Sequence, residues 1–245
     1  MNKEQLRVFS DPQETAAAFG RYFMNKLEES EVFHCALSGG STPKLLFDYL
    51  ADQYKDSKAW TKLHVYWGDE RCVPPEDNES NFKMTQGLLL SRVAIPEDQI
   101  HRVRGEDDPK SEAERYGNDL LSSMNVKAGV PVFDLIILGM GDDGHTASIF
   151  PHEIALLTSD DTCAVATHPT SGQNRITLTG QVINAAREVI FLVTGSGKKQ
   201  RISEIFNKEG DWEKYPVSYV SPASGKLLWY VDQAAVSAIS PTTES

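Results

Sequence analysis

His145 follows a glycine and an acid pair in the stretch DLIILGMGDDGHTASIF, Asp134 to Phe150. An imidazole titrates close to neutral pH, so it can serve as a general base, and a neighbouring carboxylate can orient it. Asp142 and Asp143 are the candidate orienting acids. A lone surface histidine is more often a helix cap than a catalyst, but the crowding of glycines and acids here favours a site. Gly139, Gly141 and Gly144 also spell G-x-G-x-x-G after an apolar run, the spacing of a dinucleotide turn. Asp142 and Asp143 would then lie where a pyrophosphate should sit, and no ribose-binding acid follows at a strand end about 20 residues on. The stretch therefore reads as a strand-to-helix glycine turn presenting His145 for chemistry, with no nicotinamide or flavin cofactor.

Three other stretches carry suitable chemistry. In Ser38-Gly39-Gly40-Ser41-Thr42-Pro43, Gly39 and Gly40 permit close backbone approach, Ser41 and Thr42 can donate, and a helix from Pro43 or Lys44 would aim its positive end at an anion. Gly68-Asp69-Glu70-Arg71 ends an apolar run with both charge signs: Asp69 can orient a base or a substrate hydroxyl, and Arg71 can fork onto a phosphate or a developing oxyanion. Gly195-Ser196-Gly197-Lys198-Lys199 adds ammonium groups, and Arg175 adds a guanidinium. Lys198, Lys199 and Arg175 can supply local positive potential for a phosphorylated ligand.

Other chemistries find little support. No G-x-S-x-G elbow surrounds Ser38, Ser41, Ser196 or Ser224. Cys72 lies beside Arg71 but has no adjacent base, and reads as a packed thiol. His145 and His152 are seven residues apart with a proline between them, which is not metal-ligand spacing, so no metal is expected.

The elements that must hold these stretches alternate along the chain. LRVF, VFHCALSGG, LHVYWGDER, DLIILGMG, TCAVATH, EVIFLVTG and LLWYVD read as strands separated by helical patterns. That alternation predicts an α/β fold, a mainly parallel sheet with helices on both faces. Asp11-Pro12-Gln13-Glu14 signals a helix start, and Thr42-Pro43 repeats its logic. EDDPK, 106–110, reads as a surface loop, and SPTTES, 240–245, as a flexible tail. The candidate residues cluster at several strand ends, and in open parallel sheets ligands bind beyond the carboxyl ends of the strands.

The 245 residues are read as one domain, 1–245, with 40% hydrophobic and 24% charged residues. The net charge of −11 argues against broad nucleic-acid or anionic-membrane binding. The apolar runs are too short to span a bilayer, and the N-terminal residues show no secretory or import pattern, so a cytoplasmic protein is expected. Cys35, Cys72 and Cys163 read as reduced thiols.

Taken in order, LSGGSTP (37–43), WGDERCVP (67–74) with DNESNF (77–82), LGMGDDGHTASIFP (138–151), RITLT (175–179) and GSGKK (195–199) resemble the 6-phosphogluconolactonase family. That family shares its Rossmann-like fold with glucosamine-6-phosphate deaminases. The deaminase pattern looks like DGHIAFNEP, with a glutamate assisting the histidine; here Thr146-Ala147-Ser148-Ile149-Phe150-Pro151 carries no such acid. WGDERCVP is likewise closer to the lactonase pattern than to the deaminase NMDEY.

The resemblance implies hydrolysis of 6-phospho-D-glucono-1,5-lactone. It makes His145 the base that activates water, with Asp69 and Arg71 as further catalytic candidates, and leaves open the division of roles among Asp69, Asp142 and Asp143. Gly39, Gly40, Ser41, Thr42, Arg175 and Lys198 fall at the phosphate end. The implied partner is a small sugar-phosphate lactone, the implied assembly a monomer or homodimer. A non-catalytic sugar-phosphate sensor is the alternative of another class; the roughly 30 residues ahead of the second strand leave no room for a helix-turn-helix beside one strand and one helix.

Overall fold

The computed structural model describes residues 2–223 and 225–239. The tail expected at 240–245 and Ser224 lie outside the described residues. Strand β1 (Leu6–Phe9) leads into helix α1 (Pro12–Glu29), where the Asp11 carboxylate accepts the Glu14 amide at 2.8 Å and Pro12 takes the first helical position. The D-P-x-E signal thus caps the helix as its residue types dictate.

β2 (Phe33–Leu37), α2 (Ser41–Gln53), β3 (Leu63–Trp67) and β4 (Asp69–Arg71) follow, then the short helix α3 (Asn81–Thr85), which continues into a π-helical turn, Gln86–Leu90. Next come α4 (Pro109–Ser123), the two-residue strands β5 (Val126–Lys127) and β6 (Val130–Pro131), and β7 (Leu135–Leu138). The remainder is β8 (Cys163–Thr167), β9 (Asn174–Leu178), α5 (Gly180–Ala185), β10 (Glu188–Val193), α6 (Lys199–Asn207), β11 (Lys226–Asp232) and α7 (Gln233–Val236).

Six strands in the order β1-β11-β10-β7-β2-β3 form a sheet whose every pairing is parallel. Its inner strands β7 and β10 are buried at each residue, which explains why LIIL and VIFLV are unbroken apolar runs: a parallel strand covered on both faces has no polar side to show. Helix α1 packs on α2 and on β11. Phe191 stacks on Trp229 at 4.1 Å between the middle strands, and the Tyr116 hydroxyl donates to the Trp67 carbonyl at 3.0 Å, tying α4 to β3.

Strand order decides where a ligand can enter. The chain leaves β2 towards β3 on one side, whereas it leaves β7 towards β10 on the other, and β2 and β7 are neighbours paired through Cys35–Leu135 and Ala36–Ile136. Their outgoing loops diverge and open a crevice at the carboxyl edge, the switch point of a doubly wound sheet.

Several expectations are corrected in detail. LHVYWGDER is two strands, because Gly68 passes the chain from one sheet to another: its amide donates to Leu37 at 2.8 Å, and its carbonyl accepts from Leu178 at 2.9 Å. TCAVATH is not in the parallel sheet; as β8 it forms a separate antiparallel sheet, β4-β9-β8, whose middle strand is the segment carrying Arg175. EDDPK is only partly loop, since the Asp108 carboxylate caps α4 by accepting the Ser111 amide at 3.0 Å. Thr42 does not cap α2; Gly40 occupies that position and the helix starts at Ser41.

Candidate active site

The loop after β2 turns at Gly40, whose φ of 113° favours glycine. Helix α2 then begins at once, so Ser41 and Thr42 form its first turn, where backbone N–H groups have no intrahelical acceptor. Thr42 shares a hydroxyl hydrogen bond of 2.9 Å with Thr194, which pins this loop to the end of β10. Gly39 is required by a close approach: a Cβ there would lie 2.0 Å from Oδ1 of Asn81.

Strand β4 lays Asp69 and Arg71 across the crevice. Asp69 is only 6% exposed, and its Oδ2 accepts the Ser148 hydroxyl at 2.7 Å. Arg71 and Arg175 are register partners across β4 and β9, so the two guanidiniums leave the same face of the small sheet. Each has a buried Nε with no acceptor among the described residues. Arg71 donates through Nη1 to the Glu79 carbonyl, and Arg175 lies over the Phe150 ring at 5.7 Å. Burial lowers the Arg175 pKa, opposed by Asp69 and reinforced by Arg71. Two adjacent, partly desolvated guanidiniums with free donors are suited to a dianion.

The loop after β7 carries His145. Its Nδ1 lies 2.6 Å from Oδ1 of Asp143, and its backbone amide donates to the same oxygen at 3.1 Å. Burial works to raise the Asp143 pKa, but the hydrogen bond and charge of His145 outweigh it and hold the carboxyl at about 2. An ionised carboxylate can only accept, so the Nδ1 that faces it carries a hydrogen, and Nε2 is the nitrogen outside that contact. Gly141 makes room for the ring, since a Cβ there would fall 2.1 Å from Nδ1. Phe150 packs against the imidazole, with ring centroids 4.8 Å apart.

No α-helix opens after Gly144; the chain runs through a turn to a 3-10 segment, Pro151–Leu157. The expected strand-to-helix turn is therefore a strand-to-loop turn, and the fingerprint lacks the helix N-terminus that a pyrophosphate would need.

The candidates on 38–42, together with Asp69, Arg71, His145, Arg175 and Lys198, line a single cleft of ≈ 210 Å³. The two acids diverge: Asp143 contacts His145, whereas the 84% exposed Asp142 pairs with Lys198. Lys199 is exposed and does not line the cleft. The loop bearing Lys198 is fixed by the buried Asp232, whose carboxylate accepts the Gly195 amide at 3.0 Å and 3.1 Å. Burial, then Glu70 and Glu112, push the Cys72 thiol up to about 11, so Arg71 does not activate it. Asn81, Met140, Ala147 and Thr194 also line the cleft, none of them marked by residue type or spacing in the sequence. Asn81 stands inside DNESNF, where nothing in the local pattern marks chemistry; only the fold brings it against Gly39. Among the described residues, no helix is long and apolar enough to cross a membrane.

This crevice, with a paired histidine on one wall and cations on others, lies at the switch point of a doubly wound α/β sheet, the place where proteins of that class bind ligands. Residues 10–229 match the family model described as glucosamine-6-phosphate isomerases/6-phosphogluconolactonase, and the chain belongs to that family. It is 44% identical to the 6-phosphogluconolactonase of Treponema pallidum (strain Nichols) over 198 residues, covering 81% of this chain and 82% of that one. The Trypanosoma brucei 6-phosphogluconolactonase structure superposes with a TM-score of 0.86 at 30% identity, covering 96% of this chain and 98% of the other. A monomeric glucosamine-6-phosphate deaminase gives a TM-score of 0.81 at 16% identity, covering 96% and 99% of the two chains, and shares the fold.

Proposed function

We propose that this chain, as one domain over residues 1–245, hydrolyses 6-phospho-D-glucono-1,5-lactone to 6-phospho-D-gluconate in the cytoplasm, as part of the oxidative pentose phosphate pathway. The observation that carries this reading is the His145–Asp143 pair, 2.6 Å apart, on a cleft also lined by Arg71, Arg175 and Lys198. The names of its relatives favour the same substrate.

A lactone carbonyl is already electrophilic, so the reaction needs an aligned water, a base and stabilisation of the oxyanion. Nε2 of His145 takes a proton from water as its oxygen bonds to the lactone carbonyl carbon. Collapse of the tetrahedral intermediate breaks the bond to the ring oxygen, which takes the proton back from the imidazolium. Asp143 holds the imidazole tautomer and offsets its transient charge. Asp69, anchored by Ser148, orients a substrate hydroxyl or the water. Arg175 and Arg71 together grip the phosphate, with Lys198 and the amides and hydroxyls of Ser41 and Thr42 adding donors. The position that carries the assisting glutamate in the deaminase pattern is Phe150, whose ring centroid lies 4.8 Å from that of His145, which favours hydrolysis over deaminase-type ring opening.

The test is a coupled assay in which glucose-6-phosphate dehydrogenase generates the lactone and 6-phosphogluconate dehydrogenase reports its hydrolysis. Wild type should outpace the buffer rate, and His145→Ala should lose about a hundredfold or more in kcat with little change in KM. Wild type no faster than buffer overturns the activity; a near-normal mutant removes His145 as the base.

A further inference from the structure

Strand alternation turns Asp69 and Arg71 towards the cleft and sends the intervening Glu70 the other way. Glu70 is 2% exposed, yet its carboxylate is fully engaged. Oε1 accepts the amides of Arg71 and Asn81, both at 2.8 Å; Oε2 accepts the Phe82 amide at 2.7 Å and the Ser80 hydroxyl at 3.1 Å. A carboxylate is costly to bury, and three of the four hydrogen bonds that offset the cost come from one segment, Ser80 to Phe82, the fourth from Arg71.

We propose that Glu70 is a positioning residue, a buried clamp that sets the cleft by fixing Arg71 and Asn81 against each other. The Asn81 and Phe82 amides are the first free donors of α3, so Glu70 caps that helix from a neighbouring strand, while Ser80 accepts the Lys83 amide at 3.1 Å. Asn81, held there, donates through Nδ2 to the Asp69 carbonyl at 2.9 Å and rests its Oδ1 in the space left by Gly39. The carbonyl just before Ser80, that of Glu79, receives the Arg71 guanidinium. One carboxylate therefore fixes both the backbone and the head group of Arg71, and through Asn81 it spaces the 38–40 loop from β4.

Glu70→Gln tests the clamp. Each oxygen of Glu70 serves a backbone N–H, so whichever way the amide turns, its NH2 group meets a donor. Only the kinetic half of the experiment rests on the lactonase reading. In the coupled assay, KM should rise on the order of tenfold with kcat within about threefold, because the anion-binding groups are displaced while His145 is not. A purely structural role would lower the active fraction, and hence apparent kcat, at unchanged KM. Hydrogen exchange supplies a readout independent of activity: the amides of Arg71, Asn81 and Phe82 should exchange faster in the variant, while those of β7 and β10 keep their wild-type protection.

Unchanged KM, or unchanged exchange at those three amides, overturns the proposal. Wild type without lactonase activity but with the exchange response would sink the functional reading and leave the clamp standing. If Glu70→Gln fails to fold, Ser80→Ala, which removes one of the four contacts, should raise KM about two- to threefold; an unaltered KM again overturns the assignment.

Discussion

The carboxyl and amino ends of the parallel sheet each hold histidines, in opposite circumstances. At the carboxyl end, His145 faces a cleft and has an ionised carboxylate on one nitrogen. At the amino end, His34 and His64 are register partners on β2 and β3 with rings 4.8 Å apart, and His101 extends the stack, its ring 5.5 Å from that of His64. Nδ1 of His34 lies 3.2 Å from the Tyr66 hydroxyl, Nδ1 of His64 lies 3.2 Å from Nε2 of His101, and Asp119 holds His101 at 3.2 Å.

Burial, reinforced by neighbouring His64, pushes the His34 pKa down to about 4, and burial with His101 lowers that of His64. The nearby Asp134 and Asp98 oppose these shifts, and Arg187 adds to that on His34. One residue type thus lines a cleft beside a carboxylate at one end of the sheet, the place of the proposed base, and packs against other histidines at the other.

Asp143→Asn should disturb the first region most. Without the carboxylate the tautomer is no longer fixed, and kcat should fall about a hundredfold or more in the coupled assay. Asp142→Asn, at the acid that points away, should stay within about twofold; equal losses would erase the distinction between the two acids. Arg175→Ala comes next, with KM raised about 10- to 100-fold and kcat little changed, since a charge-assisted contact to phosphate is lost. An unaltered KM would remove Arg175 from the phosphate.

The amino-end stack should show itself in stability. His34 and His64 have folded values below the ordinary 6.5, so the unfolded chain takes up protons first as pH falls. Protonation therefore costs the folded state nothing above about pH 6.5 and destabilises it increasingly as pH falls below that, for His34 down to about 4, so the unfolding free energy should drop by about 2–3 kcal/mol across that range. His34→Gln should flatten that slope and leave lactone turnover at neutral pH unchanged. A pH slope identical to wild type would show that the stack carries no such linkage.

Much of the fold was legible because local signals agreed with it: the fully apolar runs of β7 and β10 and the D-P-x-E cap of α1 each have one sensible reading. Gly68 was not legible as a boundary, because LHVYWGDER keeps strand character through it and only pairing with Leu37 and Leu178 splits it. In the site, residue type and spacing marked His145, Asp69, Arg71 and the 38–42 loop. They could not rank Asp142 against Asp143, since adjacent acids in a glycine turn differ only in the direction their side chains leave the chain.

The sequence by itself determined the alternation of strands and helices, the glycine turns and the stock of acids, cations and histidine, because these follow from side-chain chemistry and local backbone freedom. Tertiary structure alone decided that Arg71 would stand opposite Arg175, that Ser148 would hold Asp69, and that Glu70 would cap a helix 11 residues away. Those relations depend on strand order and register, which are set by the packing of the whole core and leave no mark on any short stretch of residues.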